Sequence, residues 1–181
     1  MRQGIFLFFV FAALLMEACK NEQSTPKDIA LKEFHIDSLG YSIKIPETWE
    51  IRFYKNRPDA VSFFEPQSDS TDSFRESLVV WTEKLPKPIS DSLYKKASET
   101  EIKISNPNFK IVNEENINGA NCKFGVFSFL PKTKDGDFKI YQYACVKDST
   151  AYNISTTTLA DDQKSHEALF QKIINTFTIT R

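Results

Sequence analysis

The stretch CKFGVFSFLPKTKDGDFKIYQYACV, residues 122–146, decides the fold. Two apolar runs, Cys122–Leu130 and Phe138–Val146, flank Asp135-Gly136, a dipeptide that suits the turn of a β-hairpin. Side chains alternate between faces along a strand. The first run puts Phe124, Val126 and Leu130 on one face and Phe127 and Phe129 on the other. The second sets Ile140, Ala144 and Val146 against Tyr141, Tyr143 and Cys145. Antiparallel strands that are apolar on both sides need cover on both sides. The hairpin therefore predicts a sheet with other elements packed on each face.

Those elements lie on either side of it. Upstream, Tyr41–Ile45 (YSIKI) alternates strictly and reads as a half-buried strand. Pro46-Glu47-Thr48-Trp49 is a turn, with Trp49 pinning it to the core. Strands follow at Glu50–Tyr54, Ala60–Phe64 and Ser77–Lys84, separated by a turn at Asn56-Arg57-Pro58-Asp59 and a polar loop, Pro66–Glu76. Pro86 and Pro88 precede a helix capped by Ser90 or Asp91, with Leu93, Ala97, Glu101 and Ile104 at helical spacing and Tyr94 beside them. Asn106-Pro107-Asn108 stops it. Phe109–Glu114 returns to strand, and Asn118-Gly119 marks a turn. Downstream, Ala151–Thr158 is another strand. A last helix runs from about Asp161 to Phe177, its acidic start suited to the positive end of the helix dipole. Its broad apolar face (His166, Leu169, Phe170, Ile173, Ile174, Phe177) should cover the sheet, with the Ser90 helix on the other face or an edge. The expected fold class is α+β: an antiparallel sheet with helices packed on its faces, spanning residues 31–181.

The N-terminal residues read as an address. Arg2 gives a positive start, and Gly4–Met16 is almost wholly apolar. That run is too short for a bilayer core of about 30 Å at about 1.5 Å per residue, and it suits the apolar core of a signal peptide. Leu15-Met16-Glu17-Ala18-Cys19 resembles a lipobox, which makes residues 1–18 a lipoprotein signal peptide and Cys19 the lipidation site. The motif departs from Leu, two small residues, Cys: Met16 precedes Glu17, which is unusual there, although lax versions are common in Bacteroidetes. The other readings are an ordinary secretory signal with an incidental Cys19 and an uncleaved anchor. Two acyl chains give stable anchoring where one does not. Lys20 in place of Asp leans toward the outer membrane, on its periplasmic or surface side. Lys20-Asn21-Glu22-Gln23 faintly resembles a surface-export signal. Residues 19–30, polar and without a hydrophobic period, form a flexible tether.

Five stretches carry a family likeness: Tyr41–Trp49, Ser77–Trp81, Phe109–Val112, Tyr141–Tyr143 and Phe170–Phe177. Together they resemble the PsbP-like (Mog1/PsbP) domains found in many bacterial lipoproteins. The likeness covers roughly Leu39 to Ile179 and implies an α-β-α sandwich. Members act mainly as binding or assembly accessories, such as an extrinsic photosystem II subunit and a small-GTPase-binding factor. No functional residue of theirs has a motif to match here, and one fold hosts many functions.

The chemistry on offer is sparse. Cys122 and Cys145 are the cysteines besides Cys19. A hairpin centred near Thr133-Lys134 sets them directly opposite each other, and an exported domain then permits a disulfide. A tighter turn on Asp135-Gly136 separates them and leaves two small buried residues. No cysteine–histidine set for zinc is spaced along the chain, and no metal or other cofactor is expected. His35 and His166 are the histidines, and neither sits in a motif with an oriented partner, so both read as structural or surface residues. Asp69, Asp72 and Glu76 lack the order of a calcium loop and read as a solvated loop. Asn153-Ile154-Ser155 matches a glycosylation sequon, which means little in a bacterium. Net charge is −1, without the basic patch nucleic acid would need. The expectation is a non-enzymatic, membrane-tethered binding or assembly module with an unidentified envelope protein as partner. The alternative is a small-ligand carrier with a pocket between sheet and helix, near Trp81 and Tyr141.

Overall fold

The computed structural model describes residues 29–67, 74–105, 111–129, 132–133, 136–160 and 163–181. The leader, Cys19, nearly all of the tether, Asp69, Asp72, the 106–108 stop and Asp161-Asp162 lie outside them. In chain order the elements are β1 (Leu31–Ile36), β2 (Tyr41–Pro46), β3 (Glu50–Tyr54), β4 (Arg57–Phe64), β5 (Ser77–Lys84), α1 (Asp91–Ser105), β6 (Ile111–Asn118), β7 (Lys123–Phe129), β8 (Lys132–Thr133), β9 (Gly136–Lys147), β10 (Thr150–Leu159), α2 (Gln163–Ile174) and β11 (Thr178–Ile179).

All pairings are antiparallel. The large sheet runs β3-β4-β5-β10-β9-β7-β6, with β8 against β9; a small sheet runs β1-β2-β11. One face of the large sheet presents Phe63, Leu78, Val80, Ile154, Tyr143, Val126 and Phe124 to a core shared with α2 and the small sheet. There Phe177 is fully buried, stacked on Tyr41 (5.2 Å between ring centres) and edge-on to Phe124 (5.5 Å) and Tyr152 (6.0 Å). Trp49 meets Phe170 edge-on at 5.9 Å and so ties the Pro46 turn to α2. The opposite face carries α1. The expected sandwich is therefore present, with the Ser90 helix lying on the opposite face over β9 and β7.

The small sheet departs from the single-sheet expectation. Alternation in Tyr41–Ile45 shows which side chains are buried, but leaves the partner strands open. Strand β2 pairs with β1 (Phe34 opposite Ile43) and with β11 (Thr178 opposite Ser42). Asn121 braces the junction of the two sheets. Its Nδ2 donates to the Ile179 carbonyl at 2.7 Å, and the Ile179 N–H donates to its Oδ1 at 2.8 Å.

Three boundaries also shift. Strand β4 starts at Arg57 and runs through Pro58, where a turn was expected. Its ladder with β5 begins only at Ala60 opposite Trp81, so no partner needs the missing proline N–H. Helix α2 ends at Ile174, because Thr176 Oγ1 donates to the Ile173 carbonyl and accepts the Lys44 N–H, turning the chain into β11. The hairpin register falls between the two alternatives: Gly125 lies opposite Ala144, and pairing continues to Thr133 opposite Gly136.

Candidate functional site

The α1 face of the sheet is built for close approach. Across it run Ala60, Trp81, Asn153, Ala144, Gly125 and Asn116 in register. A Cβ on Gly125 would come within 3.1 Å of Lys95 on α1, so glycine there lets the helix settle. Ser90 Oγ accepts the Leu93 N–H at 3.3 Å and is the cap of α1. Asp91 instead accepts the Val146 N–H at 2.6 Å and ties the helix start to β9. Under the helix, fully buried Asn153 donates to Tyr94 Oη at 2.9 Å, and Tyr94 donates to Glu83 at 2.7 Å.

Burial, with the Glu83 carboxylate adding to it, raises the Tyr94 phenol from 10.0 to about 12. The folded state thus holds a proton that the unfolded chain releases first, and this contribution is complete below pH 10.0 and fades as pH approaches 12. Tyr94→Phe leaves the Asn153 amide without that acceptor. It is expected to lower stability by about 1–3 kcal/mol at neutral pH. In urea melts across pH, the difference between wild type and variant should shrink above pH 10.0.

Beside α1 lies an open groove of about 490 Å³. Trp81, Tyr94, Ser98, Ile102 and Gln142 line it, with Glu83, Glu101 and the Arg57–Asp59 ion pair (3.0 Å). The helix's other flank borders a groove of about 550 Å³ that includes Lys95, Lys96 and Lys123. Trp81 is half-buried here. Tyr141 is not in this groove. It points to the opposite face, buried in the α2 core, and donates to Glu167 at 2.9 Å. One pocket cannot hold both, because register places them on different faces: Tyr141 shares its row with Thr156 and Leu78.

A second constellation assembles where β4 ends and β5 begins. Glu65 and Glu76 face each other across this junction, with the Glu65 N–H on the Glu76 carbonyl at 2.9 Å. From α2, His166 Nε2 lies 2.9 Å from Glu65 Oε2, and Nδ1 lies 3.9 Å from Glu76 Oε1. Glu76 is buried and also accepts from Thr158 at 3.4 Å, which corrects its reading as part of a solvated loop. The imidazole ring packs near Phe170. Three groups from distant parts of the chain meet here, and no local motif announces them. His35 is largely exposed, with Glu33 at 3.8 Å.

Cys122 and Cys145 are both free thiols. The β7–β9 ladder ends with Gly125 opposite Ala144, and just beyond it the Cys145 thiol contacts Cys122, which sits just before β7. That contact, together with burial, pushes the Cys145 thiol up. Cys122 is partly exposed.

No protein-family profile matches the chain, and no curated protein is similar enough in sequence to count as a relative. Its architecture, however, recurs in solved structures. The chain is similar to the cyanobacterial PsbP (CyanoP) of Synechocystis sp. PCC 6803, with TM-score 0.63 and 13% identity over 83% of this chain and 93% of that one. It is similar to LpqN of Mycobacterium tuberculosis, described as involved in cell envelope biogenesis: TM-score 0.63, 17% identity, 86% and 95% coverage. It is also similar to the Ran-binding protein Mog1p of Saccharomyces cerevisiae, with TM-score 0.58, 12% identity and coverage of 84% and 96%. The chain therefore has the PsbP/Mog1-like α+β fold. No helix among the described residues is long and apolar enough to cross a membrane.

Proposed function

We propose that this chain is a lipoprotein held to the envelope by lipid on Cys19, whose PsbP/Mog1-like domain acts as a non-catalytic binding or assembly module for another envelope protein. The observation that carries this reading is the filled interior. Between the large sheet and α2, Phe63, Leu78, Ile154, Phe124, Ile173, Ile174 and Phe177 are all buried at or below 1% exposure. Recognition is then left to the outer surface, where the Trp81 groove offers an aromatic side chain among acidic groups. The same packing weighs against the small-ligand carrier, whose aromatic pair is split between two faces. LpqN, with its part in envelope biogenesis, and Ran-binding Mog1p show the fold used in such settings.

The leader supports the address, the outer membrane being favoured on its periplasmic or surface side. Palmitate labelling tests the anchor. Label is expected on the wild type and lost in Cys19→Ser; equal label in both would overturn the lipoprotein reading. Cross-linking of the lipidated protein in its own envelope, followed by pull-down, is expected to recover one reproducible protein partner, less of it with Trp81→Ala. In an exported domain, Cys122 and Cys145 also meet an oxidising compartment, where this reading expects them to close as a disulfide.

A further inference from the structure

We propose that Glu65, Glu76 and His166 form a binding site for a divalent cation of the zinc class. One ligand atom from each lies within 4.8 Å of the other two. The donors come from three places, the end of β4, the start of β5 and the first turns of α2, so a cation there would pin the helix to the sheet. Zinc sits about 2.0–2.2 Å from imidazole nitrogen and carboxylate oxygen, which spaces tetrahedral ligand atoms about 3.3–3.5 Å apart. Glu65 Oε2 lies 2.9 Å from Nε2, while Glu76 Oε1 lies 3.9 Å from Nδ1, the other ring nitrogen; an imidazole gives one nitrogen to an ion, so the Glu76 carboxylate has to turn toward Nε2 for all three to meet one zinc.

The Glu65 contact carries the argument further. Oε2 is buried and makes no hydrogen bond, although His166 Nε2 is 2.9 Å away. The ring N–H is therefore not aimed at it, and the pair lacks the alignment of a hydrogen-bonded imidazolium–carboxylate. A cation shared by the two atoms imposes just such an offset, because it lies on the nitrogen lone pair and beside the N···O line. Two carboxylates and a neutral imidazole balance a doubly charged ion, and the neighbouring Arg75 guanidinium is engaged by the Glu65 carbonyl and the Glu50 carboxylate. Lys139 is in the same row, opposite Thr158, and its ammonium lies over the Tyr141 ring at 4.6 Å. The mixed set favours zinc over magnesium, since imidazole suits the former and magnesium keeps to oxygen and water. Water would complete the coordination.

Calorimetric titration of the full chain in detergent with zinc chloride, and separately with magnesium chloride, tests this. One zinc per chain is expected, with no heat of binding from magnesium. X-ray absorption of the zinc complex should show one imidazole among oxygen ligands and no sulfur. His166→Gln and Glu65→Gln should each weaken zinc binding at least tenfold. Glu65 is one-third exposed, which makes its variant the safer of the two for folding, as circular dichroism will confirm. His35→Gln and the double Cys122→Ser/Cys145→Ser variant should bind as the wild type does. Three results overturn the proposal: no zinc bound, zinc bound equally by folded His166→Gln and Glu65→Gln, or zinc lost with the cysteines.

Discussion

Phe177→Ala is expected to lower the stability of the domain by about 3–5 kcal/mol, the usual cost of cutting a buried phenylalanine to alanine. The upper part of that range applies here. Phe177 is fully buried and touches three aromatic rings, Tyr41 of the small sheet, Phe124 of β7 and Tyr152 of β10. Each ring pair adds about 0.5–1.5 kcal/mol beyond simple burial. The hole cannot collapse easily, because its walls belong to two sheets that are themselves fixed by backbone pairing. Urea unfolding should show a lower midpoint with an unchanged slope. A loss under 1 kcal/mol would mean that the small sheet and the large one do not share a core at this point.

The second large effect is redox. Two thiols give up two protons and two electrons to an added disulfide such as oxidised glutathione, which leaves as two thiols, and a Cys122–Cys145 bond forms. Cys122, the partly exposed partner, should attack the glutathione disulfide first and release one glutathione thiol; Cys145, buried and with its thiol pushed up, then attacks the Cys122 sulfur of the mixed disulfide and releases the second. Closing a loop of this length contributes about 3 kcal/mol in the chain-entropy model. The oxidised protein should therefore unfold at clearly higher urea than the reduced one, and Cys122→Ser should abolish the difference. Mass spectrometry should find the loss of two hydrogen atoms. A stable mixed glutathione adduct on Cys122, with no internal bond, would show that the backbones hold the sulfurs too far apart.

The sequence shows the secondary structure well and the site poorly, for physical reasons that particular residues make plain. Period-two alternation in Tyr41–Ile45, Ser77–Lys84 and the residue 122–146 hairpin reports faces directly, so strands and buried sides are readable. Helices α1 and α2 are readable from caps and spacing. Partner choice is not. Strand β11 is two residues long and is held by Asn121, a contact of 58 positions' separation that leaves no local pattern. Trp81 and Tyr141 look alike as aromatic strand residues, and only the inter-strand register separates their faces. The Glu65–Glu76–His166 group escapes for the same reason, since a polar loop and a helix start each look solvated alone. Glu76 is buried only because Thr158 and His166 arrive from elsewhere.

The small sheet has β2 at its centre, flanked by the first strand and by the last element in chain order. A polypeptide emerging N-terminus first can pair β1 with β2 at once, but one edge of β2 must wait until Thr178 and Ile179 appear. The small sheet is thus a clasp between segments about 140 positions apart, and its third strand closes only after every other described element has been made.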